Sequence, residues 1–90
     1  MMNDYRLTDL MDYEFEYADT IMDDSFEHEY RVFVSKVGGG TVGKKYAGDW
    51  IVRIYNDHNE VIVQTADLHT GSFKRHADVA LEALDMHLNN

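Results

Sequence analysis

The sequence predicts an α+β domain in which a three-stranded antiparallel sheet is covered on one face by helices, in the order α-β-β-β-α. Three observations carry this expectation. Residues 4–24 contain neither Gly nor Pro and repeat their apolar positions at helical spacing. Three runs rich in β-branched and aromatic residues follow, at 29–37, 49–55 and 60–66. A last segment from Phe73 onward returns to helical spacing. With 90 residues and 10.5 kDa the chain has room for a single domain with one modest core. Within it, 1–28 reads as an acidic amphipathic helical segment and 29–90 as a βββα core.

On a helical wheel Leu7, Leu10, Met11, Phe15, Ala18, Ile21 and Met22 share one arc, with Tyr17 at its edge. Asp9, Asp12, Glu16, Asp19 and Asp23 fall on the opposite arc, and only Glu14 lands among the apolar positions. The stretch Tyr13-Glu14-Phe15-Glu16-Tyr17 also alternates as a strand would. The helix is preferred because its pattern persists about three times longer than the alternation. The first strand, Glu29 to Val37, sets Tyr30, Val32 and Val34 on one face and Arg31, Phe33, Ser35 and Val37 on the other. Residues 38–48 hold five of the six glycines and read as a mobile loop. Asp49–Tyr55 and Glu60–Ala66 form a hairpin about the turn residues Asn56-Asp57-His58-Asn59. Thr70-Gly71-Ser72 ends the sheet, and Ser72 caps a final helix. The core face of that helix is Phe73, Ala77, Ala80, Leu81, Leu84 and Leu88.

Charge is distributed unevenly. The net charge of −9 arises wholly in residues 1–30, which carry ten acids and one base, Arg6; residues 31–90 carry seven of each. A halophilic surface would spread its acids along the whole chain, so the asymmetry points instead to an interaction surface. Its sign disfavours direct contact with phosphates and favours a basic partner. Like charges four apart destabilise a helix by roughly 0.2–0.5 kcal/mol per pair, and Asp is a poor helix former. A face that is costly to the fold is a candidate functional face. From Asp9 to Asp23 the stripe would run about 21 Å along a helix, approaching the charge spacing of one nucleic-acid strand. Asp9, Asp12, Glu16, Asp19 and Asp23 are therefore the candidate partner-binding residues, with Tyr13 and Tyr17 as aromatic anchors.

Other chemistries find little in the sequence. There is no cysteine, which excludes disulfides, thiolate metal sites and cysteine nucleophiles. No apolar run is long enough for a membrane span. The N-terminus lacks the form of a signal peptide, so a cytoplasmic location is expected. Gly38-Gly39-Gly40-Thr41-Val42-Gly43-Lys44-Lys45 nearly spells a phosphate-binding loop. However, Lys45 replaces the hydroxyl residue and the segment leads into a strand rather than a helix. The five histidines show no convergent ligand spacing, and none of the three serines sits in a nucleophile setting. No enzymatic activity, cofactor or metal is expected.

Lys74, Arg75 and Ala77 at the start of the last helix, with the α-β-β-β-α order, resemble double-stranded-RNA-binding domains. The pattern departs from that family at Asp78 and in the acidic first helix. In size, charge and element order the chain is similar to small acidic phage-encoded inhibitors of the anti-CRISPR and anti-restriction type. That resemblance implies blockade of a nucleic-acid-handling complex and transfers no residue role. The expected function is thus a non-enzymatic acidic protein that binds and blocks a basic, nucleic-acid-handling protein by mimicking nucleic-acid charge. The alternative is a nucleic-acid-binding module working through Lys44, Lys45, Lys74 and Arg75.

Overall fold

Among the described residues strand outweighs helix. The structure is a computed structural model that describes residues 13–89. Five strands precede one helix: β1 (Tyr17–Met22), β2 (Glu29–Lys36), β3 (Gly40–Val42), β4 (Lys45–Tyr55), β5 (Val61–Lys74) and α1 (His76–Leu88). All pairings are antiparallel, and β1, β2, β4 and β5 lie side by side in that order. Tyr46 of β4 pairs with Thr41 on one side and Lys74 on the other, so β3 prolongs the line of β2.

The fold is α+β, but the three-stranded, two-helix expectation is overturned: the sheet has five strands, and among the described residues the only helix is α1. Residues 17–22, expected as helix, form edge strand β1, in register with β2 from Tyr17↔Val34 to Met22↔Glu29. Tyr17 and Ile21 pack against the core, and their spacing of four suits either period. What distinguishes the two periods is the spacing of three, which a strand sends to opposite faces.

The glycine-rich segment is also ordered differently from the mobile loop expected. Gly40↔Ala47, Thr41↔Tyr46 and Val42↔Lys45 pair, and Gly43-Lys44 makes the two-residue turn. Gly43 has φ 62 at the first central position, as such a hairpin turn requires. The sheet does not stop at Thr70-Gly71-Ser72. β5 runs on to Lys74, and the helix starts at His76 behind Arg75 rather than behind Ser72.

Three register shifts separate β4 from β5, and at each the extra residues lie on β5. Extra residues on one strand bend and twist the pair, and the sheet curls into a half-barrel. α1 packs against one face of it. The core joins Val32, Val34, Trp50, Val52 and Ile54 of the sheet to Val79, Ala80, Ala83 and Leu84 of the helix. The buried helix face is therefore rotated from the expected one: Leu81 and Leu88 are exposed, and Phe73 is still in β5. Ala80 and Leu84 are buried as expected, while Val79 and Ala83 take the places expected of Leu81 and Leu88.

Trp50 is fully buried and donates its indole N–H to Thr70 Oγ1 at 2.9 Å. This bond explains why β5 must continue as far as Thr70. Thr70→Val keeps the shape but leaves the indole donor unpaired, which costs about 1–3 kcal/mol. Urea unfolding should show a midpoint lowered accordingly with an unchanged slope.

Candidate functional site

The meander carries three acidic segments to one end of the molecule: the β1–β2 turn, the β4–β5 turn and the C-terminal end of α1. Asp23, Asp24, Glu27, Glu29, Asp57, Glu60 and Asp85 gather there, and among the described residues Arg31 is the only Lys or Arg with them. The helix adds the negative end of its dipole. Lys44, Lys45, Lys74 and Arg75 lie at the opposite end, where the β3–β4 turn meets the end of β5. The chain is thus acidic at one pole and basic at the other.

The β1–β2 turn is built around Asp23. Its Oδ1 accepts from Ser25 Oγ at 2.9 Å, the Glu27 amide at 3.1 Å and the His28 amide at 3.4 Å. Desolvation pushes the carboxyl up. The bonds from Ser25, His28 and Glu27 outweigh it and hold Asp23 below the usual carboxylate range. Asp23 thus stays ionised while bonded only to neutral groups. Within the turn Phe26 sits at φ 58 and is 78% exposed. A bulky L-residue at positive φ costs about 1–2 kcal/mol, and here it holds an aromatic ring out among four carboxylates, Asp23, Asp24, Glu27 and Glu29. Phe26→Gly should therefore raise stability by about 1 kcal/mol, seen as a higher thermal midpoint. A lowered midpoint would mean that the ring supports the fold.

The two turns are tied together by His28 Nδ1 and Asp57 Oδ2 at 3.0 Å. The bond to Asp57 raises the His28 pKa above 6.5, with help from the nearby charges of Asp57, Asp23 and Glu27. The same bond lowers Asp57 below 3.8. A raised histidine stabilises fully below its unfolded pKa and loses that contribution as pH rises through the folded one; a depressed carboxyl does the reverse on the acid side. The tie is accordingly strongest between about pH 4 and 6.5. Amide exchange in residues 23–28, corrected for intrinsic rate, should accelerate between pH 6 and pH 8 in the native protein and not in His28→Gln.

The described members of the expected interface, Tyr13, Glu16, Tyr17, Asp19 and Asp23, do not form one helical stripe. Asp9 and Asp12 lie outside the described residues. Glu16 is recruited by the fold: its Oε1 accepts the Lys36 amide at 2.9 Å and meets His76 Nε2 at 2.9 Å. The His76 contact and the Lys36 amide hold Glu16 below its usual value. It extends the β1–β2 ladder by one bond and fastens the start of α1. Tyr17 packs on the core and reaches Asp19 Oδ2 through its hydroxyl at 3.3 Å. Asp19 is exposed, and its Oδ1 accepts the amide of Thr20 at 2.9 Å. Among the described residues of the expected interface, only Asp23 reaches the acidic pole.

Tyr13 belongs to a different neighbourhood, on the sheet face away from α1. Its ring meets Phe15 at 5.2 Å, and the row continues through Phe33 to Tyr55. Arg53 lies 5.1 Å from the Phe15 ring centre and donates to Gln64 Oε1 at 2.5 Å. Arg31 covers Tyr55 at 4.7 Å. This row packs residues 13–15 onto the sheet.

Between β1 and the C-terminal half of α1 runs a groove of about 410 Å³ lined by Ile21, Met22, Leu81, Leu84 and Leu88, with Asp23, Asp24, Glu82, Asp85 and Asn89 at its margins. Sequence reasoning missed Glu27, Glu29, Glu60 and Asp85 as partners of Asp23, and it missed Phe26 and the groove. The one sequence signal for Phe26 was a bulky aromatic amid turn residues and acids. Among the described residues no three His, Asp or Glu side chains converge as a metal cage. No family model, curated protein or solved structure matches the chain.

Proposed function

We propose that the protein is a non-enzymatic acidic interaction protein that binds and blocks a basic, nucleic-acid-handling partner. The observation that carries this is the acidic pole, where the described residues set seven carboxylates against one arginine. These acids come from three segments far apart in sequence. Their repulsion works against the compact state, and the exposed Phe26 adds a further local cost. A cluster of carboxylates competes for the same Lys and Arg side chains that hold phosphates, which suits a nucleic-acid-handling partner. The charge mimicry expected of a helical stripe is carried by the pole instead.

The test is displacement. A labelled DNA duplex is bound to an arginine-rich nucleic-acid-binding peptide, and the protein is titrated in. Release of the duplex at low salt, diminishing as ions screen the pole, supports the reading. No release at low salt would overturn it.

A second reading, direct nucleic-acid binding, is favoured by the convergence of Lys44 and Lys45 with Lys74 and Arg75. Against it, Lys74 is paired with Glu82 at 2.8 Å, and the Arg75 amide is bonded to Asp78 Oδ2 at 3.2 Å, with that carboxylate beside it. A mobility shift of duplex or single strand by the protein alone would favour this second reading.

A further inference from the structure

The groove beside β1 combines an apolar lining with an acidic margin. Met22, Leu81 and Leu88 keep 41%, 55% and 42% of their surface exposed, although Leu84 beneath them is buried at 3%. Three exposed aliphatic side chains converging on one depression are more than scattered surface hydrophobes. Among the described residues Glu82 is the only one of the four marginal acids paired with a Lys or Arg, Lys74. Asp85 Oδ1 accepts from the Asn89 side-chain Nδ2 at 2.6 Å, and Asp23 from a hydroxyl and two backbone amides. Neutral partners leave those charges in place. The C-terminal end of the helix dipole adds to them. Whatever fills the groove must therefore be apolar at its centre and cationic at its edges.

The neighbouring strand edge narrows the shape of the occupant. Lys36 of β2 sends its amide toward Glu16, on the β1 side. Even-numbered residues of β2 therefore face β1, and by the register their partners are Tyr17, Asp19 and Ile21. The outward groups of β1 belong to Ala18, Thr20 and Met22. The Thr20 amide, in the middle, is already taken by the Asp19 carboxylate. A strand added to this edge would have to break that bond, so the edge is guarded against strand addition. Docking by side chains remains. Leu81 to Leu88 spans about 10 Å of helix, equal to two turns of a helix laid beside it.

We propose that this groove takes a short amphipathic helix of the partner, with apolar side chains at i and i+3 or i+4 and Lys or Arg on its flanks. The inference rests on the acidic-pole reading and gives that pole a specific ligand.

The experiment uses the full chain and two synthetic peptides of identical Leu, Ala, Lys and Arg composition. One places its leucines on a single helical face, and the other spreads them around the helix. The amphipathic peptide should bind on the order of tenfold more tightly, with amide shifts centred on residues 21–24 and 81–89. Leu81→Ser together with Leu88→Ser, both at exposed positions, should erase the difference between the peptides without lowering the thermal midpoint. Equal binding of the two peptides would overturn the groove proposal and leave the acidic pole standing. Binding of neither at low salt would overturn both. New exchange protection at Ala18, Thr20 and Met22 would show strand addition and overturn the helical form.

Discussion

Gly48→Ala should bring the domain close to unfolding. Gly48 has φ 122, a conformation open in practice only to glycine. A Cβ there would lie 2.3 Å from the Gly38 carbonyl oxygen and 2.7 Å from Gly39 Cα. Gly39, at φ 101, is the reciprocal case, with a Cβ 2.0 Å from the Ala47 oxygen. Two backbones thus cross in direct contact where β2 gives way to β3, and no flexible side chain can yield. The dihedral strain alone costs about 1–3 kcal/mol. Displacing the β2–β3 line from β4 adds to that, for a total of roughly 3–5 kcal/mol. A chain of this length has about 5–13 kcal/mol in all. Gly40→Ala is the control: nothing lies within 4 Å of its Cβ, so its effect should stay within about 0.5 kcal/mol. Urea unfolding of the two variants side by side decides the matter. Equal midpoints would mean that the crossing does not exist in solution.

Neutralising the acidic pole should have the largest effect on binding. Asp24→Asn, Glu27→Gln, Glu29→Gln and Glu60→Gln, made together, remove four of its seven carboxylates and spare Asp23 and Asp57, which hold the turns. Glu60 accepts from Asn56 Nδ2 at 2.9 Å, a bond that glutamine can retain. The fold should be unchanged or slightly more stable, because repulsion is relieved. At about 0.5 kcal/mol per exposed charge at low salt, affinity for an arginine-rich peptide should fall roughly thirtyfold, since each 1.4 kcal/mol is a factor of about ten. The fall should appear mainly in the association rate, and the remaining binding should depend less on salt. Stopped-flow association at low and high ionic strength measures both. A variant that associates at the native rate under both conditions would remove the pole from the function and leave Phe26 and the groove as the contact surface.

Several elements were legible because their signals are local. The hairpin about Asn56–Asn59 was one: Asn56 Oδ1 accepts the amides of His58 and Glu60, each at 2.9 Å. The strand from Glu29 was another, since β-branched residues alternate through it. The last helix was legible, with Ala80 and Leu84 on its buried face, but its start and the rest of that face were not. Thr70-Gly71-Ser72 looks like a terminator until Trp50 supplies a buried donor for Thr70. Phe73 then remains in the sheet, and the helix turns Val79 and Ala83 inward in place of Leu81 and Leu88. Of the described interface residues, only Asp23 lies at the acidic pole, which it shares with Asp24, Glu27 and Glu29 of its own turn region and with acids from the β4–β5 turn and the helix.

The sequence by itself determined the strands with strict alternation, the turn chemistry between the last two and the acidic bias of the first third. Tertiary structure alone decided β1, the crossing at Gly39 and Gly48, and the gathering of charge at one end. The reason lies in where the stabilising partners come from. Tyr17 and Ile21 are four apart, which serves a helix and a strand equally, and the β2 edge between Glu29 and Val34 selects the strand by offering a six-residue ladder. Glycines read as slack because a sequence records what they permit locally. It does not record the second backbone, nine residues away, that passes through the space where a side chain would be.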